Sequence, residues 1–122
     1  MKLALFIICL VVIITILVVK FEIIIACGES MYPTIKDGDF LLVYKSKKVE
    51  LNKVYVLDLK LTHINYEQIV VKRVVDISSV DNGFLWLEGD NPPKSYDSRS
   101  YGYVNPKFII GRVVKIWRIK KK

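Results

Sequence analysis

The sequence predicts a single all-β domain carried behind one apolar helix, and three observations predict it. Leu3 to Val19 runs LALFIICLVVIITILVV, seventeen residues without a charge, which as a helix spans ~25 Å of a ~30 Å hydrocarbon core. After Lys20 the apolar residues fall into short runs rich in Val, Ile, Tyr and Phe, the signature of strands. Gly, Pro, Asn and Asp punctuate those runs, and no 3.6-residue period is sustained between them.

The apolar run reads as an uncleaved membrane anchor over residues 1–21, leaving a β domain over 22–122. Lys20 can snorkel to the interface, and Phe21 with Ile23 to Ile25 extends the apolar contact. A cleavable secretory signal needs small residues just before the cut, and none sits cleanly after Val19. Ile24-Ile25-Ala26-Cys27 also has the form of a bacterial lipobox, but Lys20 and Glu22 interrupt the apolar region ahead of it. Charge does not orient the anchor, because Lys2 precedes it while Lys20 and Lys36 follow.

Glu22 to Cys27, rich in isoleucine, predicts a first strand leading into Ser30. Lys36-Asp37-Gly38-Asp39 is a turn, Phe40 to Lys45 a second strand, and Lys45 to Lys48 a charged loop. Val54 to Leu61 and Glu67 to Ile77 fit two longer strands joined around His63 to Tyr66. Asp81-Asn82-Gly83 marks a hairpin turn before Phe84 to Glu88, and Ile109 to Ile119 closes the domain. Gly89 to Pro106 reads as a long loop, of the kind that in a compact domain carries function or stays disordered.

The formal charge is +7, of which +6 remains once the first nineteen residues, with Lys2, are set aside. A basic surface favours acidic partners such as anionic lipid. No zinc spacing, basic helix or aromatic RNA-binding signature speaks for nucleic acid, so none is expected. Cys9 lies inside the apolar run, so Cys9 and Cys27 predict no structural disulfide. His63 is the sole histidine, and nothing around it supports a Ser-His-Asp triad. No ligand cluster is apparent, and neither metal nor cofactor is expected.

Three segments carry chemistry. In Gly28-Glu29-Ser30-Met31-Tyr32-Pro33-Thr34, Pro33 fixes φ and Gly28 permits a sharp turn, so the Ser30 hydroxyl is presented. In Ile69-Val70-Val71-Lys72-Arg73-Val74-Val75, alternation puts Lys72 with Val70 and Val74, opposite Val71, Arg73 and Val75. Both faces are largely apolar, so Lys72 loses hydration and its amine becomes a proton acceptor near neutral pH. Alone, the serine reads as a turn residue and the lysine as one that snorkels to the surface. Together they are a nucleophile and its base. The third segment is Gly89-Asp90-Asn91-Pro92-Pro93-Lys94-Ser95-Tyr96-Asp97-Ser98-Arg99.

In this order the three segments resemble the boxes of a type I signal peptidase, and the resemblance covers most of the chain after Glu22. It implies a signal-peptidase-type β catalytic core of short antiparallel strands behind one transmembrane helix, at the cell membrane, with the catalytic domain outside the cytoplasm. It further implies a serine endopeptidase with Ser30 as nucleophile, Lys72 as base and Ser95 orienting the amine. Asp97 and Arg99 resemble the family's charged pair, with Arg73 as a further partner of Asp97. The oxyanion would lean on the Ser30 N–H and on donors near Gly28, a glycine where some members carry a hydroxyl. Lysine in place of the histidine of eukaryotic secretory relatives points to the bacterial-type Ser-Lys arrangement.

The implied substrates are signal-peptide-bearing precursors, cut after small residues at Ala-X-Ala type sites. They would bind as an extended strand in a shallow cleft walled by Met31, Ile35, Val71, Ile24 and Ala26. Three other readings stand beside this one. A specialised peptidase for one pilin-like or conjugation-related precursor fits the short span of sixteen residues between Lys72 and Gly89, where larger relatives insert a domain. A LexA-type self-cleaving repressor domain is disfavoured by the apolar N-terminus and by the third segment. A non-catalytic membrane-anchored binding protein of the same fold is disfavoured by Ser30 and Lys72.

Overall fold

The computed structural model describes residues 1–59, 69–80 and 83–119. Helix α1 (Lys2–Lys20) is long and apolar enough to cross a membrane, and none of its residues is buried against the β domain. Among the described residues nothing covers its apolar surface, which suits a helix embedded in lipid. Strand β1 (Phe21–Ile25) follows without an intervening residue. The Lys45 N–H donates to the Lys20 carbonyl at 2.7 Å, pinning the helix end to the end of β2 (Phe40–Tyr44).

Four further strands complete the sheet: β3 (Val54–Asp58), β4 (Ile69–Ile77), β5 (Leu85–Glu88) and β6 (Ile109–Trp117). The six strands run in the order β1-β2-β6-β3-β4-β5, with every neighbouring pair antiparallel. This is the all-β core behind one apolar helix that the sequence predicts. The strands are mostly shorter than expected, β1 ending at Ile25 instead of Cys27 and β6 at Trp117 instead of Ile119. The expected hairpin tip at His63 to Tyr66, the Asp81-Asn82 part of the next turn, and Lys120 to Lys122 lie outside the described residues.

The segment from Gly89 to Pro106 is more ordered than the long loop expected of it. Pro92–Lys94 forms a 3-10 turn, Ser98–Tyr101 a single helical turn (α2), and Val104 bridges to Leu85. Asp97 caps α2 by accepting the Arg99 N–H, while the Ser98 hydroxyl accepts the Leu87 N–H at 2.8 Å. One turn of helix is too short to imprint a hydrophobic period, so it is held by its caps.

Alternation along the strands divides the core between the two faces of the sheet. Tyr55, Leu57, Val74, Leu85, Leu87, Val104 and Ile109 pack on one face. Ala26, Met31, Ile35, Leu41, Val43 and Val56 pack on the other. Because both faces are covered, β3 and β4 read as nearly continuous apolar runs.

The sheet is curled, which decides where the site falls. β6 carries an extra residue in each of its pairings, Val114 opposite the Leu42–Val43 step of β2 and Ile110 opposite the Val56–Leu57 step of β3, and β4 carries Val75 as an extra residue against β5; such bulges sharpen twist and bend. At Gly111 a Cβ would overlap the Tyr44 carbonyl and lie 2.8 Å from Val43 Cγ1, so β6 crosses β2 at a distance only glycine allows. As a result β1 and β4, separated in the sheet by β2, β6 and β3, line one cavity.

The turn at Lys36 to Asp39 is tied down from two sides. The Asp39 carbonyl accepts the Ala26 N–H at 2.8 Å, fastening the turn to the chain leaving β1. The Asp39 carboxylate is buried and accepts the Lys36 N–H at 2.8 Å, Arg118 Nε at 3.1 Å and Arg118 Nη2 at 2.9 Å. The Arg118 guanidinium holds the Asp39 carboxyl below the usual carboxylate range, outweighing the burial that pushes it up. A depressed carboxyl pKa contributes stability that is present above the unfolded value and lost as pH falls through the folded one. Asp39→Asn should therefore lower the melting temperature at neutral pH, with the gap to wild type closing as pH falls below the ordinary carboxylate range. Melts of both proteins across that range test this, and a gap independent of pH would show that the charge contributes nothing.

Candidate active site

After β1 the chain turns through Gly28, whose φ is +90°, and reaches Ser30 at the lip of the sheet. Met31 and Ile35 are almost fully buried, and the Ile35 N–H donates to the Met31 carbonyl at 2.9 Å. The turn is thus nailed into the core by two apolar side chains while Ser30 stays half-buried beside it. The Tyr32–Pro33 peptide bond within it is cis.

Lys72 sits opposite Tyr55 in the β4–β3 pairing and is only 4% exposed. Its Nζ donates to Ser95 Oγ at 3.2 Å, and Ser95 Oγ donates onward to Asp97 Oδ2 at 2.5 Å. Burial pulls the Lys72 pKa below the ordinary lysine range, opposed by the Asp97 charge and reinforced by Arg99. Asp97, itself fully buried, also accepts the Gly89 N–H at 2.8 Å and Arg99 through Nη2 at 2.6 Å and Nε at 3.0 Å. Burial pushes its carboxyl up, but the bonds from Arg99, Ser95 and the Gly89 N–H outweigh that and hold it well below the usual range.

Those bonds set the direction of each proton. An ionised Asp97 only accepts, so Ser95 spends its single O–H on the carboxylate and offers Lys72 lone pairs alone. Lys72 must then donate an N–H to Ser95. Once neutral, the amine keeps its own lone pair for a different donor.

Two expectations need correction. Arg73 does not pair with Asp97: its Nε donates to Asp90 Oδ1 at 2.9 Å, its Nη2 to Asp90 Oδ2 at 2.7 Å, and its Nη1 to the Asn52 carbonyl at 2.7 Å. Alternation places Arg73 on the face of β4 opposite Lys72, whereas Asp97 lies on the Lys72 side and is already held by Arg99. Gly28, expected near the oxyanion donors, has its own N–H taken by Asp37 Oδ1 at 2.8 Å. The turn carrying Asp37 is tied to Ala26, which brings that carboxylate beneath Gly28.

Sequence reasoning gives no role to Thr34, Asp90 or Asn91, yet these three fasten the site together. Thr34 Oγ1 donates to Asp90 Oδ2 at 2.6 Å, so Asp90 joins the serine turn to Arg73 on the lysine strand. The Asn91 N–H donates to the Ser30 carbonyl at 2.9 Å, and Asn91 Nδ2 to the Glu29 carbonyl at 2.9 Å. The available signal was two opposite charges, Arg73 beside Lys72 and Asp90 near the start of the third segment.

Ser30 and Lys72 both line a cavity of about 1190 Å³. Ile24, Ala26, Met31, Ile35 and Val71, the expected walls, line it too, as does Gly28. It also takes in Ile25, Cys27, Ile69, Val70, Lys94 and Tyr96, which sequence reasoning did not place there. Among the described residues no hydrogen bond joins Ser30 Oγ to Lys72 Nζ or engages that hydroxyl elsewhere, so it is available to a peptide and to the amine. Nor is any cluster of His, Cys, Asp and Glu among those residues placed to hold a metal ion. A hydroxyl and a dehydrated amine facing one apolar cavity are equipped for acyl transfer.

A model of the Peptidase S24-like family matches residues 21–114, from the start of β1 into β6. Mitochondrial inner membrane protease subunit 1 of Xenopus tropicalis is 31% identical, across 81% of this chain and 71% of that protein.

Proposed function

The chain belongs to the Peptidase S24-like family and is a type I signal peptidase-like serine peptidase, and on that premise we propose a membrane-bound endopeptidase with a Ser30/Lys72 dyad. The observation that carries this reading is the dehydrated Lys72 amine, oriented by Ser95 and Asp97, in the same cavity as the Ser30 hydroxyl.

In the proposed reaction neutral Lys72 takes the Ser30 proton as Oγ attacks the scissile carbonyl. The Ser30 N–H stabilises the developing oxyanion. As the C–N bond breaks, the ammonium returns its proton to the leaving amine, and an ester to Ser30 remains. Lys72 then deprotonates a water that cleaves the ester and regenerates the hydroxyl.

The substrates proposed are signal-peptide-bearing precursors cut after small residues. β1 lies at one end of the sheet order, and its Ile24 and the Ala26 just beyond it line the cavity, which suits an extended peptide held by main-chain bonds with alternate small side chains inserted. Helix α1 would hold the protein in the cell membrane in a single pass, with the residues after Lys20 outside the cytoplasm and in contact with lipid. Incubating the detergent-solubilised protein with a secretory precursor and sequencing the new N-terminus tests the reading. A cut immediately after an Ala-X-Ala site supports it, and an intact precursor or a cut after bulky residues refutes it.

The base must be neutral, so kcat should rise with pH along a limb that reports Lys72. That limb should lie below the ordinary lysine value of 10.5, since burial lowers this pKa. Ser95→Ala removes the acceptor that aims the amine and should lower kcat ~10–100-fold, the range for partners that orient a reactive group, with KM little changed. A pH–rate profile of both proteins on one peptide checks this. A Ser95→Ala profile that superimposes on wild type would remove Ser95 from the site.

A further inference from the structure

With Lys72 neutral, as its role as base requires, one charged side chain is left among the described residues that line the cavity: Lys94. It stands on the 3-10 turn Pro92–Lys94, where two prolines restrict the backbone and the Lys94 N–H closes onto the Asn91 carbonyl at 3.0 Å. Asn91 in turn holds the Ser30 and Glu29 carbonyls, so Lys94 is presented at a fixed place relative to the serine.

Among the described residues its charge is not used within the fold. The acidic residues flanking it on the loop are already engaged, Asp90 by Arg73, and Asp97 by Arg99. Glu88, the acidic residue before that loop, accepts from Trp86 Nε1 and lies 3.9 Å from Arg99. Glu29, beside Ser30, does not line the cavity. Among the described residues the Lys94 ammonium has neither ion pair nor hydrogen bond. An exposed cation on the wall of an otherwise apolar cleft, backed by arginine-neutralised carboxylates, is complementary to a carboxylate.

We propose that Lys94 is a specificity-determining residue that selects polypeptide substrates carrying an acidic side chain within three residues of the scissile bond. This rests on the endopeptidase reading and adds to it a charge preference that the apolar walls do not supply. The gain is that of a partly exposed ion pair, so about fivefold in kcat/KM for a carboxylate over its amide is the expected size.

The test is a peptide set built on one Ala-X-Ala substrate. Glu, Gln or Lys is placed singly at the X position before the cut and at each of the three positions after it, leaving the required small residues intact. Wild type should show one position where kcat/KM falls in the order Glu, Gln, Lys, with the spread shrinking at high salt. Lys94→Gln should flatten that order and Lys94→Glu should invert it, each variant being referred to its own rate on the parent peptide. Equal rates for all three residues at every position, or an order that survives Lys94→Gln, would overturn the proposal and leave the peptidase reading standing. Failure of wild type to cleave any peptide would overturn both.

Discussion

Ser30→Ala and Lys72→Ala should each lower turnover by on the order of 10⁴-fold or more, because nucleophile and base act as one unit. The sharper expectation is that the double variant is no worse than either single one. Once the hydroxyl is gone the amine has no proton to take, and without the base the hydroxyl is a poor nucleophile. Lys72→Arg should fail equally, since a guanidinium stays protonated at any working pH. Lys72→Met keeps most of the buried volume and serves as the control for packing. Each variant should stay folded, because the Ser30 hydroxyl makes no hydrogen bond among the described residues and Lys72 gives up only its bond to Ser95. Steady-state rates on an Ala-X-Ala peptide, with melting curves alongside, decide the matter. Substantial activity in Ser30→Ala or Lys72→Ala, or losses that add in the double variant, would sink the dyad.

What the sequence made legible was local. Pro33 and Gly28 flag a turn at Ser30, and strict alternation around Lys72 already says that a lysine is caught between apolar neighbours. Burial of Lys72 at 4% exposure agrees with that reading of β4. The partner of Arg73 was not legible, because choosing between Asp90 and Asp97 needs the path of a loop across the sheet, and alternation says only that Arg73 and Lys72 diverge. The closure of the cavity was hidden for the same reason. β1 and β4 line one cavity because bulges and the tight crossing at Gly111 curl the sheet between them, and no pattern within a single strand encodes that. α2 escaped because its stability lies in the Asp97 cap and the Ser98–Leu87 bond, which a periodicity search does not see.

Gly89→Ala should cost about 10²-fold in kcat, although Gly89 bears no side chain and touches no proton in the reaction. Its position explains the size. A Cβ there would overlap Ser95 Oγ, stand 2.6 Å from Ser95 Cβ and lie 2.5 Å from the Ser30 carbonyl oxygen. Gly89 is thus the spacer between the loop that aims Lys72 and the turn that carries Ser30. Its backbone cannot retreat, because its N–H is held by Asp97 Oδ2 at 2.8 Å and its carbonyl accepts Arg99 Nη2 at 3.3 Å. A methyl group must therefore push Ser95 away from Lys72 or push the Ser30 turn off Asn91. A displacement of about 1 Å between reacting groups is enough for a loss of this order. Stability should suffer less than activity, since inserting one methyl into a packed site typically costs ~1–3 kcal/mol. Ser95→Gly separates the two routes, because it removes both Ser95 atoms that the methyl would strike and leaves the Ser30 carbonyl in place. If the clash with Ser95 dominates, Gly89→Ala should cost little more in the Ser95→Gly background than Ser95→Gly costs alone, a coupling that a double-mutant cycle on kcat reads directly. If the full loss persists in that background, the methyl acts through Ser30 instead. Wild-type turnover in Gly89→Ala would mean that the spacing between Ser95 and Ser30 does not govern catalysis.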